Sequence, residues 1–366
     1  MNGPFLRFNP APLLLLVVAG LFTSPAALSQ NSAYGHWVND PKNIATPGFV
    51  YDPPPAGFNP LTASDAELEQ WGFPPRPSKT DKAGYARWKR TATLMRVTPQ
   101  LTPTNIYNGP ARNVRLGPSV KNAISTTSEN WSGVVITDAN GTFAANNSFV
   151  FADWNIPAVG QPIGICNSTW YYSSQWVGFD GFGTNDVLQA GDEADANCTS
   201  TSYSFWYEWY PNAETRISFP AAPGDPISVN VWYTTASPHG HATLTNWLTG
   251  NAAFIGFNPP SGTTYFGSSA EWIVERPTVN GSLADLSNYS SMGISLPEAS
   301  NVTNQFYPSG APAGATIYNV AMTCPPWNPS SSCTSTTTIS YPYTTVYSPP
   351  YEMLYFQEFP PAGKEP

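Results

Sequence analysis

The chain has 366 residues, a formal charge of −9, 41% apolar residues and only 11% charged ones. So low a charged fraction excludes a disordered polyelectrolyte and an ordinary helix bundle rich in Lys and Glu. With 28 Gly, 39 Pro and 14% aromatics, the chain is punctuated too often for long helices, and an all-β protein is expected.

Residues 1–29 read as a secretory leader. Arg7 precedes the apolar run from Leu13 to Phe22, too short to span a bilayer, and Ala27-Leu28-Ser29 offers small residues for cleavage before Gln30. No later segment has the roughly 18 continuous apolar residues of a membrane helix. An exported protein, free of the membrane once the leader is removed, is therefore expected.

Charge divides the remainder. From Gln30 to Lys121 there are 11 Lys/Arg and 6 Asp/Glu, whereas from Asn122 to Pro366 Arg216, Arg276 and Lys364 face 18 carboxylic acids. The acidic part would repel phosphate, so nucleic acid is excluded as a partner. At about pH 3–4 its carboxyls neutralise and few positive charges remain, a composition suited to acid. The basic stretch, residues 30–125, reads as a pro-region that holds the acidic body by charge as an intramolecular inhibitor and loosens as carboxylates protonate; a solvated linker is the alternative. Within it, Ser64-Asp65-Ala66-Glu67 is a capping box opening a short helix that stops at Gly72-Phe73-Pro74-Pro75. Thr80-Asp81 opens a second helix, with Tyr85, Trp88, Ala92 and Met95 on one face.

From Asn130 onward strand follows strand. Phe149 to Ile156 and Ile227 to Tyr233 alternate, and Pro- and Gly-containing turns break the runs. Residues 126–308 are expected to form a sandwich of two antiparallel sheets. From about Ser309 to residue 366 the chain turns to Ser, Thr, Pro and Tyr and reads as an extension packed on the sandwich edge. The four cysteines, Cys166, Cys198, Cys324 and Cys333, imply two disulfides in an oxidising compartment. Pairing 166 with 198 and 324 with 333 is one of three connectivities.

Most common chemistries are eliminated. His36 lies in the basic stretch, and His239 and His241 stand in Pro238-His239-Gly240-His241, which reads as a surface turn. There is no HExxH, CxxC, Gly-x-Ser-x-Gly, pair of Asp-Thr/Ser-Gly turns or Gly-rich phosphate loop, so neither a metal nor a cofactor is expected. Carboxylates, amides and aromatics remain, in four runs: Asn130 to Gly133, Gln175 to Asp180 with Leu188 to Gly191, Phe205 to Pro211, and Ala270 to Glu275. Period-two geometry puts Trp176 with Gly178 and Asp180, Trp206 with Glu208 and Tyr210, and Glu271 with Ile273 and Glu275. These faces suggest a polar, aromatic-walled groove on the outer, concave face of one sheet; core aromatics with acids at strand ends are the plainer alternative.

In this order the runs resemble the glutamic peptidases, or eqolisins, from about Ser128 to Met292: Asn130-Trp131-Ser132-Gly133, Trp176-Val177-Gly178-Phe179-Asp180, Leu188-Gln189-Ala190-Gly191, Trp206-Tyr207-Glu208-Trp209-Tyr210-Pro211 and Ala270-Glu271-Trp272-Ile273-Val274-Glu275. The resemblance implies a lectin/glucanase-like sandwich and a secreted, acid-acting endopeptidase made as a zymogen, with protein or peptide substrates. It places the catalytic pair on Gln189 and Glu275 and supporting residues on Trp176, Asp180, Trp206 and Glu208, and leaves Glu271 outside the pair. Ala190 departs from the Thr common in the family, and Ile163 to Ser174, with Cys166, is an insertion. A monomer is expected.

Residue chemistry agrees with that pairing. A Glu with an ordinary pKa near 4.3 is partly ionised at about pH 3–4 and can take a proton from water, where His would be locked as a cation. A Gln cannot titrate, so it can orient water and donate to an oxyanion at any pH. One alternative is a glycoside hydrolase using Glu271 and Glu275. Four residues along a strand separate Cα atoms by ~13 Å, however, against roughly 5–9.5 Å between paired carboxyls in such enzymes. The other is a non-catalytic carbohydrate-binding sandwich whose tryptophans stack on sugars.

Overall fold

The computed structural model describes residues 35–37, 44–120, 122–162, 164–301, 303–323, 338–348 and 351–358. The expected leader, Cys324 and Cys333 lie outside them.

The alternating runs become two sheets face to face, antiparallel except where Ala315–Thr323 runs parallel to Ala123–Ser128. The first has the strand order Leu101–Pro103, Thr215–Ile217, Thr201–Tyr210, Val187–Ala196, Tyr171–Phe179, Ser269–Glu275, Trp131–Asp138, Ala315–Thr323, Ala123–Ser128 and Arg115–Val120. The second runs Gly35–Trp37, Gly48–Tyr51, Asn251–Phe257, Gly240–Asn246, Pro226–Tyr233, Ser148–Asn155, Ser291–Ser300, Tyr351–Glu358 and Thr338–Ser348. Thr338–Ser348 also pairs with Ala315–Thr323, joining the two sheets at one corner.

Each strand sends alternate side chains into the space between the sheets. Val177, Phe179, Leu188, Ala190, Phe205, Tyr207, Trp209, Trp272 and Val274 of the first sheet meet Val150, Ala152, Trp154, Val229, Val231, Leu244, Ile255 and Ile294 of the second, all buried in one cluster. Two tryptophans tie the layers by hydrogen bonds: Trp272 Nε1 donates to Phe151 O at 3.0 Å and Trp154 Nε1 to Asp192 Oδ1 at 2.6 Å. A bridge joins Cys166 to Cys198.

The basic stretch is folded and docked. Ser64 caps the helix Asp65–Gln70 in a complete capping box, and Asp81 caps Lys82–Ala92. The second helix ends three residues before Met95. The Thr93 hydroxyl bonds the carbonyls of Lys89 and Arg90, and Met95–Arg96 then pairs in parallel with Asn251 and Ala252 at a sheet edge, leaving Met95 64% exposed. Phe49, Tyr51, Leu68, Phe73, Trp88 and Ala92 form a second apolar cluster with Ala252 and Phe254 of the sandwich. Cations fasten the contact: Arg87 pairs with Glu298, the Arg90 guanidinium lies 3.6 Å over the Trp247 ring, and Arg96 lies 3.7 Å over Phe254.

Two sequence expectations are corrected. Ala315–Thr323 is not an edge extension: it lies inside the first sheet, between Trp131–Asp138 and Ala123–Ser128, because its backbone pairs on both sides. His241 is not a surface residue of a turn. It belongs to the strand Gly240–Asn246, is buried and stacks on Trp232 with ring centroids 4.9 Å apart, its nitrogens reaching Thr234 Oγ1 at 3.0 Å and Tyr51 Oη at 3.4 Å.

Trp88 is buried in the docking cluster and donates Nε1 to Pro74 O at 3.0 Å. Trp88→Ala is expected to cost about 3–5 kcal/mol in that cluster. Limited trypsin digestion at neutral pH checks this: cleavage at Lys79, Lys82 and Lys89 should speed up at least tenfold while strands of the sandwich stay protected.

Candidate active site

The outer face of the first sheet carries the side chains that the core does not take. Register aligns Gln189 with Gly178 on one side and Glu208 on the other, Gly191 with Trp176 and Trp206, Ile273 with Trp176, and Glu275 with Ser174 and Trp131. All of these therefore share one face. Glycine at 191 is a packing requirement: a Cβ there would lie 2.0 Å from Gln175 O and 2.7 Å from Trp176 Cβ. Its absence lets the Trp176 and Trp206 side chains lie over the sheet. Trp131, Val135, Trp176, Val187, Trp206 and Ile273 form the apolar cluster of this face.

The end of the basic stretch crosses that face. Ile106–Tyr107 pairs with Thr278–Val279, and the next residues run over Gln189 and Glu275. Gln189 Nε2 donates to Asn108 O, and Gly109 N donates to Glu275 Oε1 at 3.0 Å. That carbonyl and that N–H belong to the same peptide group, so Gln189 and Glu275 converge on one peptide bond. Glu275 Oε1 also accepts from Asn130 Nδ2 at 2.9 Å, and Oε2 from Trp131 Nε1 and Trp176 Nε1 at 3.0 Å each. Beyond Gly109 the segment is tied by Trp131 Nε1 to Gly109 O at 3.0 Å, Ala111 N to Gly181 O at 3.1 Å and Arg112 N to Asn130 Oδ1 at 2.7 Å. Gln189, Glu208 and Glu275 are consequently buried.

The structure brings together Gln189, Glu275, Trp176, Trp206 and Glu208, the last accepting from Asn108 N at 2.9 Å. It does not bring Asp180 to the pair. That residue lies past the end of its strand in the left-handed region, φ 67°, and its carboxyl accepts from the backbone N–H groups of Phe266, Gly267 and Ser268 and from Ser268 Oγ. Its work is to close the loop preceding Ser269–Glu275. Asn108, Gly109, Asn130, Trp131 and Glu214 complete the site without an assigned role in the sequence reading. Asn130-Trp131 stands in a recognised run, but nothing local in Asn108-Gly109-Pro110 beyond a turn signal marks it for this place.

Burial dominates the electrostatics. It pushes the Glu275 carboxyl up from its ordinary range, against the pull of Asn130, Gly109, Trp176 and Trp131. Glu208 is raised by burial and then by the like charges of Glu214 and Glu275. Farther along the sheet, burial raises Asp186 to about 7 and Glu214 to about 8, and Glu193 well above its usual value. In the core and beside Arg216, burial takes Asp192 and Asp195 each to about 7.

A family model described as Peptidase A4 family matches residues 129–343. Aspergillopepsin-2 of Aspergillus niger is 34% identical over 143 residues, covering 38% of this chain and 50% of that protein. Scytalidopepsin B of Scytalidium lignicola is 28% identical over 153 residues, 41% of this chain and 53% of that one. The chain thus spans about half the length of the curated relatives it matches. Among solved structures, scytalido-glutamic peptidase with a transition state analog inhibitor aligns with 20% identity and a TM-score of 0.46, covering 63% of this chain and 98% of that one. Aspergilloglutamic peptidase from Aspergillus niger aligns with 26% identity and a TM-score of 0.41, covering 52% and 99%.

The raised carboxyls give stability a defined pH dependence. Each holds its proton in the folded state after the unfolded chain has lost it, so its contribution is complete below about pH 4 and is lost as pH rises through 7–8. His241, lowered by burial to about 3, acts in the opposite sense, losing stability as pH falls from 6.5 to 3. The carboxyls outnumber it. Calorimetry should show Tm falling steadily from about pH 4 to 8 as the unfolding free energy drops by up to ~1.4 kcal/mol per pH unit for each group in its titration window, with a shallower slope in Asp192→Asn; a Tm that rises over this range would contradict the assignment.

Proposed function

The chain belongs to the Peptidase A4 family, and from that premise we propose that it is a secreted, acid-acting endopeptidase, made as a zymogen, in which Gln189 and Glu275 hydrolyse peptide bonds of protein substrates. One observation carries the reading: a single peptide group, Asn108–Gly109, has its carbonyl on Gln189 and its N–H on Glu275. A substrate peptide laid in the same direction puts its carbonyl oxygen on a fixed, non-titrating N–H donor and its leaving nitrogen beside a carboxyl.

The steps follow from the two functional groups. Glu275 as carboxylate takes a proton from water, whose oxygen adds to the carbonyl carbon. The Gln189 amide donates to the oxyanion that forms, and Glu275 returns the proton to the nitrogen as the C–N bond breaks. Trp131, Trp176 and Asn130 hold the carboxylate in place through their N–H groups. The remaining walls, Trp206 among them, keep the site apolar.

The chain's own segment 105–112 accounts for latency. It occupies both members of the pair with one peptide group, and its coverage contributes to the burial that keeps Glu275 neutral. With the segment gone, three N–H donors remain on a less buried carboxyl, so its pKa falls and the base becomes available in acid.

Gln189→Ala should lower kcat/KM on denatured haemoglobin by about 100–1000-fold, and Glu275→Gln should abolish hydrolysis at about pH 3, both with unchanged far-ultraviolet circular dichroism. A folded Glu275→Gln protein that still digests haemoglobin would sink the reading.

A further inference from the structure

The Asn108 side chain occupies a place that the two-residue mechanism leaves unexplained. Asn108 is wholly buried. Its backbone N–H donates to Glu208 Oε2 at 2.9 Å and Oε1 at 3.2 Å, and its Nδ2 reaches Glu208 Oε2 and Glu214 Oε2 at 3.3 Å each. Glu208 is fixed by its strand opposite Gln189. Glu214 leads directly into the strand Thr215–Ile217, which pairs with Thr201–Tyr210, and Arg216 Nε lies 3.0 Å from its other oxygen. Both carboxyls are thus positioned independently of Asn108, one on the strand beside Gln189 and the other at the sheet edge.

Asn108 supplies the carbonyl that sits on Gln189, so its side chain stands on the acyl side of the peptide group held by the pair. We propose that the space between Glu208 and Glu214 is the subsite for the substrate side chain on the acyl side of the cleaved bond, that it selects a carboxamide, asparagine before glutamine, and that Glu214 is a specificity-determining residue. This rests on the peptidase reading above. The selection is a matter of hydrogen-bond inventory. Burial keeps both carboxyls neutral in acid, and a neutral carboxyl offers one O–H donor and one carbonyl acceptor, the complement of a carboxamide's acceptor and donors. The buried Asn108 Oδ1 has no partner among the described residues. An aliphatic side chain would keep the backbone N–H on Glu208 and Arg216 on Glu214 Oε1 but leave Glu214 Oε2 without its partner, and an ammonium group would be desolvated against neutral partners. Sites built to bond a polar group discriminate strongly against analogues lacking it.

The test uses the full chain activated at about pH 3.5 and peptides of the form Ile-Tyr-X-Gly-Pro-Ala with X as Asn, Gln, Asp, Leu or Lys. At least a tenfold higher kcat/KM is expected for Asn than for Leu or Lys, with cleavage after X by mass spectrometry. Glu214→Leu should bring the Asn-to-Leu ratio to near unity or below, and Glu214→Gln, which keeps the shape and a hydrogen-bonding amide, should retain a preference for Asn. Cleavage of the Leu peptide as fast as the Asn peptide by the unaltered protein overturns this subsite while leaving the peptidase reading standing, and needs no variant to fold. Failure to cleave any peptide in the series or haemoglobin defeats the peptidase reading and the subsite together.

Discussion

One peptide group held at both ends organises this molecule. The Asn108–Gly109 carbonyl on Gln189 and N–H on Glu275 join strands on either side of Tyr171–Phe179, and everything around them serves to make that grip possible. Neither residue could be presented this way from a loop. Each stands within or at the end of a strand paired on both sides, so its position is set by backbone hydrogen bonds rather than by side-chain packing alone. The N–H donors from Trp131, Trp176 and Asn130 then fix the carboxyl's orientation as the strands fix its place.

The site lies on the face of the sheet that an ordinary sandwich would leave wet. Here it is closed by residues 105–112, and the closure has an electrostatic consequence. Glu208, Glu214 and Glu275 meet that segment, and with Glu193 and Glu271 they lie buried on a sheet with few cations beside it. Burying ionised carboxylates would cost several kcal/mol each, so the protein holds them neutral, and its stability is tied to acid conditions. The same scarcity of cations that marks the composition of residues 122–366 is therefore expressed in structure as proton-holding carboxyls, and the cations concentrated in residues 30–121 serve the docking of the helical segment through Arg87, Arg90 and Arg96.

Much of this was legible in the chain. The two-sheet sandwich follows from alternation in runs such as Ser148–Asn155 and Pro226–Tyr233, and both helices open at the caps Ser64 and Asp81 that their sequence marks. The face-sharing of Trp176 with Gly178, of Trp206 with Glu208 and of Glu271 with Glu275 follows from period two. The misreadings share a cause. Met95 fits the helical face but is drawn into a strand by an open sheet edge at Asn251. His241 follows a turn, yet the strand begins one residue earlier and Tyr51, nearly two hundred residues away, covers it. Asp180 continues the parity of its run, but the left-handed turn at that residue takes its carboxyl off the shared face and into the 266–268 loop. In each, a partner distant in sequence outweighed a correct local preference.

The sequence by itself determined which residues alternate, where helices start, how charge divides and which amide and carboxyl belong to the family's motifs, because these properties are settled by neighbours within a few positions along the backbone. Only the tertiary structure decided that the strands holding Gln189 and Glu275 flank Tyr171–Phe179, that Ala315–Thr323 enters the sheet, and that Asn108 and Gly109 fill the gap between the two side chains. Those outcomes depend on strand order, register and loop closure across a hundred residues or more, and no local periodicity encodes which of many compatible partners a strand will meet.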